Sequence, residues 1–334
     1  MNAAVIYGPR DLRIEAVPDP APAEGEVLVR VGAAGLCGTD YRIWSGDRPV
    51  RYPLIMGHEF VGEVAAIGEG VSNVKLGDRV AVEPNYSCGA CALCLEGNRN
   101  LCVQRTAVGI DVPGGFAQLA RVPARCCWTA PRGLGDEQLL LTEPLAVVVR
   151  AVGRAEVKTG ATAAVLGAGT LGLLALQVLR ARGARVLVVG RTERRLELAH
   201  RLGAEAVHSL AAGPGSEAAG AFSGREGVDI VVETAGTPEA VAEAIQLARP
   251  GGRVVLTGLP HEPSQVHFFW VVRRELTLIG SMIYQDEFPE AIRLLDAGAV
   301  TVGPLVTHRF PLDAIEDAFA AHRRPESIKV AVFP

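Results

Sequence analysis

A glycine-rich turn with an apolar strand before it and a helix after it limits this chain more than any other feature. The turn is Gly167-Ala168-Gly169-Thr170-Leu171-Gly172. The run at 163–166 precedes it and a helical pattern at 170–181 follows. Strand and helix then alternate through 185–189, 193–202, 228–233, 238–248, 253–257 and 276–280. Parallel strands need a crossover between them, so such alternation predicts a doubly wound parallel sheet. The pattern Gly-x-Gly-x-x-Gly also occurs in ordinary tight turns, but between a strand and a helix it has a mechanical reading. Gly167 permits the turn, Gly169 lets a pyrophosphate approach the backbone, and Gly172 lets helix pack on strand. The amides of the helix start, at Thr170 and Leu171, attract the phosphates.

Some twenty residues later, at the end of the second strand, a nucleotide fold of this kind carries Asp or Glu when it must hold a free ribose hydroxyl. Here the sequence reads Val189-Gly190-Arg191-Thr192, with Arg194 and Arg195 following. A carboxylate would repel a 2′-phosphate, whereas Gly190 makes room and Arg191 offers a planar fork of donors. Thr192 and Arg195 extend the positive corner, although Arg195 also suits a solvated helix start. The missing acid predicts NADP(H) in preference to NAD(H).

The segment before residue 151 reads differently. Short apolar runs at 27–31, 60–67, 79–82 and 116–122 alternate with Gly, Pro and Asp, which predicts an antiparallel, partly barrel-like β region. After residue 288 the pattern is mixed, with an amphipathic helix at 287–297 and a closing strand at 328–333 that should return to the first domain.

Cys88, Cys91, Cys94 and Cys102 follow Cys-x2-Cys-x2-Cys-x7-Cys, with Gly89, Gly97 and Asn98 at the turns. These spacings are too short for a disulfide framework to be the first reading, and seven cysteines is an odd number. Four thiolates with no open position describe a closed structural zinc site. An iron–sulfur cluster or plain free thiols are the alternatives. A metal-bound lobe implies a reducing, cytoplasmic setting.

A second candidate set is more dispersed. Cys37 stands in Gly35-Leu36-Cys37-Gly38-Thr39-Asp40, His58 and Glu59 follow some twenty residues on, and Glu143 precedes Pro144. A Cys, a His and carboxylates can hold zinc and leave one position for water or substrate. Alone, each is as well explained by core packing or by a surface pair.

Taken together, these segments resemble the zinc-containing medium-chain dehydrogenase/reductase family, the alcohol and polyol dehydrogenases. The match covers nearly the whole chain, and its parts arrive in family order. The resemblance implies a GroES-like, partly open β-barrel catalytic domain over 1–146 and 286–334, with the zinc lobe at 85–103, and a Rossmann cofactor domain over 147–285. It implies two Zn2+ per chain, with Cys37, His58 and Glu59 as ligands of the catalytic ion. Glu143 would be an exchanging ligand or a partner of the metal's water, at a position where other members have cysteine. Substrate alcohol would bind the metal as alkoxide and pass hydride to the nicotinamide, with Thr39 moving the proton outward and Asp40 organising the turn. Many members have histidine three residues after that Ser or Thr. Here it is Arg42, which cannot serve as a relay base. Ile43 and Trp44 are expected to line the substrate pocket. Sorbitol-type members tend to have an arginine in the segment corresponding to 280–284, where this chain has Ile283; that lessens the expectation of a long polyol.

The function expected is therefore a zinc-dependent oxidoreductase acting on a secondary alcohol, diol or sugar alcohol with NADP(H). An NAD(H)-dependent polyol or threonine-type dehydrogenase is the alternative, and a catalytically inactive nucleotide-binding or redox-sensing protein a further one. Thirty-three Lys and Arg against 37 Asp and Glu leave a charge of -4, which speaks against nucleic acid or an anionic membrane as the main partner. A small-molecule alcohol or carbonyl compound fits better. Residues 1–12 show no charged start followed by an apolar run, so no secretory leader is expected. A homodimer or homotetramer is expected.

Overall fold

One long strand organises the first half of the chain. The computed structural model describes residues 1–334, and in it Glu26–Leu36 runs for 11 residues. One edge pairs with Glu59–Ile67 along most of its length. The other edge is shared: residues 26–30 pair with Leu119–Pro123, and residues 34–36 with the closing strand Lys329–Phe333. Arg79–Val82, Cys127–Thr129 and Val306–Pro311 complete a seven-stranded sheet. Inside it Leu36, Phe60, Phe116 and Phe319 are almost fully buried, and their removal from water is the main stabilising term.

The apolar run expected as a single strand at 116–122 begins as a strand only at Leu119. Its first residues are drawn to other partners, because Phe116 accepts from the Ala4 amide at 2.8 Å and Gln118 donates to Asn2 at 3.1 Å. The tail after 288 resolves into the helix Phe288–Asp296, the strand Val306–Pro311 and the helix Ile315–His322. All of these belong to one compact unit, Met1–Glu143 with Phe288–Asp296 and Val302–Pro334.

The second unit, Pro144–Glu287 with Ala297–Thr301, is built on six parallel strands. Their spatial order is Ala206–Ser209, Arg185–Gly190, Thr162–Leu166, Val228–Glu233, Ala248–Leu256 and Thr277–Gly280. The chain winds outward in one direction from Thr162–Leu166 and in the other from Val228–Glu233. Ligands of such sheets bind beyond the strand ends at that reversal. Every residue of Thr162–Leu166 is buried, as expected for a parallel strand covered on both faces. Gly167 has φ +107°, and a Cβ on Gly172 would collide with the Gly167 carbonyl. Both positions therefore require glycine for the strand-to-helix turn. No helix is long and apolar enough to cross a membrane.

Candidate functional site

Strand pairing creates the first site. Gly35 lies opposite Glu59 in the ladder, so Cys37, just past one strand end, arrives beside His58 and Glu59 at the start of the other. The donor atoms of Cys37, His58 and Glu59 all lie within 4.8 Å of one another. Cys37 caps the helix Gly38–Ser45, and its amide donates to Asp40 Oδ2 at 2.9 Å. The other oxygen of Asp40 lies 3.2 Å from His58 Nδ1. With the proton on Nδ1 donated to Asp40, Nε2 keeps the lone pair that a metal needs.

Glu59 is paired with Lys329, whose Nζ also donates to the Leu36 carbonyl at 3.4 Å. Both are buried, at 2% and 3% exposure. Burial works against the Lys329 charge, but Glu59 and Cys37 outweigh it and raise its affinity for the proton, with a smaller contribution from Glu143. Burial likewise disfavours charge on His58, and the negative groups Asp40 and Cys37 reverse that, leaving its proton affinity well above the ordinary imidazole value. A divalent cation at the cluster would take that proton's place. Sulfur, nitrogen and oxygen donors on one side of an ion, with excess negative charge around them, suit zinc with an open position.

Glu143 opens the helix Thr142–Arg154 and is 8% exposed, but its carboxylate is not among the three clustered donors. Thr39 is half-buried in the first turn after Cys37, and Arg42 follows one turn later with Nη1 buried and without a hydrogen-bond partner. Ile43 is not a pocket wall, and Trp44 is partly buried against the same core. Ile43 is 0% exposed within the β-domain core, and Trp44 packs against Phe319 with ring centroids 5.6 Å apart.

The second site is the cysteine lobe. Asn85–Tyr86 pairs with Thr106–Ala107, which closes the loop between them and brings Cys88 near Cys102. Sulfur–sulfur separations are 3.5 Å for Cys91–Cys94 and for Cys88–Cys102, 3.8 Å for Cys91–Cys102 and 4.0 Å for Cys88–Cys94. Four thiolates about 2.3 Å from a tetrahedral zinc lie about 3.8 Å apart. The lobe has that shape, and all seven cysteines are free of disulfides. Backbone amides of Ala90 and Cys91 lower the Cys88 thiol to about 6, so one ligand is readily deprotonated.

The third site is a cavity of about 420 Å³ at the strand ends of the second unit. Gly167, Gly169, Gly190, Arg191, Thr192 and Arg195 line it. Thr170, Leu171 and Gly172 do not; they form the first turn of the helix Thr170–Ala181 behind it. Sequence reasoning did not anticipate the opposite wall, where Thr237, Glu239 and Glu243 stand. It also did not single out Lys329, although a lysine inside an otherwise apolar closing strand is the signal of a buried ion pair.

Comparison with known proteins agrees along the whole chain. Residues 23–132 match the alcohol dehydrogenase GroES-like domain and residues 170–297 the zinc-binding dehydrogenase domain. Sorbitol dehydrogenase of Bacillus subtilis strain 168 is 36% identical, the match covering 100% of this chain and 97% of that protein. A Sinorhizobium meliloti 1021 structure described as a zinc-binding dehydrogenase bound to NADP superimposes with a TM-score of 0.96 at 34% identity, covering 100% of this chain and 99% of that one. An alcohol dehydrogenase of E. coli CFT073 complexed with NADH gives a TM-score of 0.94 at 33% identity, with 100% and 99% covered.

Proposed function

This chain belongs to the zinc-containing medium-chain alcohol dehydrogenase family, and from that premise we propose that it moves hydride between a secondary alcohol, diol or sugar alcohol and NADP(H), with Cys37, His58 and Glu59 holding the catalytic zinc. The observation that carries this reading is the three-donor cluster, braced by Asp40 on one side and Lys329 on the other. The Cys88, Cys91, Cys94 and Cys102 lobe holds a second, structural ion in this account. The protein works as an assembly of two or four copies.

When bound, zinc supplies the charge that stabilises the alcohol oxygen as its proton leaves, and the nicotinamide supplies the hydride acceptor. The chain's own residues do the rest. Asp40 fixes the His58 ring and the Cys37 backbone together, so two ligands keep their geometry without reorganising. Lys329 pairs with Glu59, offsets its charge in the buried surroundings and keeps it beside the cluster. Thr39, two residues from Cys37, accepts and passes the proton of the substrate hydroxyl. Arg42 never gives up its own proton, so the outward route continues through Glu143 and water. At the nucleotide end, Arg191 would hold the 2′-phosphate, and Gly190 would leave room for it.

The test is a panel of secondary alcohols, diols and sugar alcohols supplied to zinc-loaded protein with NADP or NAD, read by the absorbance of the reduced cofactor. Zinc is measured on the same sample. Reduction of NADP by at least one member of the panel, with two zinc ions per chain, is the expected result.

A further inference from the structure

The acid absent from the end of the Arg185–Gly190 strand has a counterpart across the cavity. One wall carries Arg191, Thr192 and Arg195, and the other carries Thr237, Glu239 and Glu243. Glu243 is committed, because its Oε1 accepts the Gly215 amide at 2.9 Å. Glu239 is the second residue of the helix Pro238–Leu247, whose cap is Thr237 with its hydroxyl accepting from the Ala240 amide at 3.3 Å. A carboxylate in a helix's first turn is stabilised by the helix dipole. Its own backbone amide and the Thr237 hydroxyl hold the Glu239 carboxyl below the usual carboxylate pKa, burial opposes them, and the Arg191 charge adds to the lowering. Glu239 is therefore an anion within electrostatic reach of Arg191, on the surface of the same cavity.

We propose that Glu239 is a second cofactor-specificity residue: it accepts from the ribose hydroxyls of NAD and repels the 2′-phosphate of NADP, so that Arg191 sets the preference and Glu239 limits it. The cavity then carries two opposed determinants and admits both dinucleotides. This rests on Arg191 being the phosphate partner. A 2′-phosphate entering beside Arg191 meets the like charge of Glu239 on the same cavity. A free ribose meets no such penalty, and its hydroxyl gains an ionised acceptor.

Calorimetric titration of the zinc-loaded protein with 2′,5′-ADP and with 5′-AMP tests this, since these probes differ only in the phosphate. Glu239→Gln should raise the 2′,5′-ADP to 5′-AMP affinity ratio about tenfold. Glu239→Asp, which keeps the charge, should leave the ratio nearer the parent's. Arg191→Ala should lower the ratio ten- to a hundredfold. A residue that merely supports the helix would shift both ligands alike and leave the ratio unmoved. If Glu239→Gln is unstable, Glu239→Ser, well suited to a first helical turn, makes the same comparison. An unchanged ratio in the charge-removing variant, with the Arg191→Ala effect intact, overturns the role of Glu239. An Arg191→Ala variant with the parent's ratio overturns the NADP reading instead.

Discussion

Asp40 holds two members of the candidate metal cluster at once, with one oxygen 3.2 Å from His58 Nδ1 and the other accepting the Cys37 amide at 2.9 Å. It is 0% exposed. A single buried carboxylate thereby sets the orientation of an imidazole and the position of a thiol that are far apart in sequence. Such outer partners tune metal affinity as strongly as some ligands do.

Asp40→Asn keeps the size and one acceptor but loses the charge. Zinc at the catalytic cluster should bind about 10- to 100-fold more weakly, measured by competition with a chromogenic chelator, while the cysteine lobe keeps its ion. Equal affinity at both sites in variant and parent would remove Asp40 from the account.

Lys329→Met leaves Glu59 buried without its cation. Breaking one partner of a buried pair costs about 3–5 kcal/mol, so the denaturant midpoint should fall sharply. The double variant Lys329→Met with Glu59→Gln should recover much of that loss. A midpoint within experimental scatter of the parent for the single variant would mean that Glu59 finds another partner.

Acid stability should depend on Asp229. Burial opposes its charge, but the amide and hydroxyl of Thr162 and the guanidinium groups of Arg249 and Arg225 overcome that and lower it to about 2, against about 3.9 in an unfolded chain. A folded value below the unfolded one gives stability that is full above about pH 4 and is lost as pH falls toward 2. Asp229→Asn should cost on the order of 1 kcal/mol at neutral pH, reduced by solvent screening of the Arg225 pair, and should flatten the loss between pH 4 and 2. Parallel stability curves for parent and variant would contradict this.

Gly190→Asp with Arg191→Ala should reverse the cofactor preference. A Cβ at Gly190 would meet Leu196 Cδ2 at 3.2 Å and Ala168 Cβ at 3.4 Å, so the new residue requires the Leu196 side chain to shift by a few tenths of an ångström. Losing the guanidinium contact weakens NADP by roughly ten- to a hundredfold, and the new carboxylate favours NAD. A parent with higher kcat/KM for NAD than for NADP would show that Arg191 faces solvent.

The parts of the molecule that were legible in the sequence are those whose physics is local. The glycine turn is written in six consecutive residues, and the cysteine lobe in fifteen, because chain geometry alone brings those groups together. The strand–helix alternation gave the parallel sheet for the same reason. Lys329 was not legible, since it meets Glu59 only through the pairing of the closing strand with Glu26–Leu36. Glu239 was hidden similarly, because the opposite wall of the nucleotide cavity comes from a helix that follows a different strand. Ile43 was misjudged as a pocket residue because its sequence position beyond Cys37 says nothing of the helix face, and it points into the core.

The most direct test of the central claim is the zinc content of Cys37→Ser, read together with its alcohol-dependent NADP reduction. The account predicts two zinc ions per chain in the parent and one in the variant, which stays folded on its intact cysteine lobe and loses nearly all turnover. Two ions in the variant, or turnover within a few-fold of the parent, would contradict the assignment of Cys37, His58 and Glu59 as the centre where the reaction occurs.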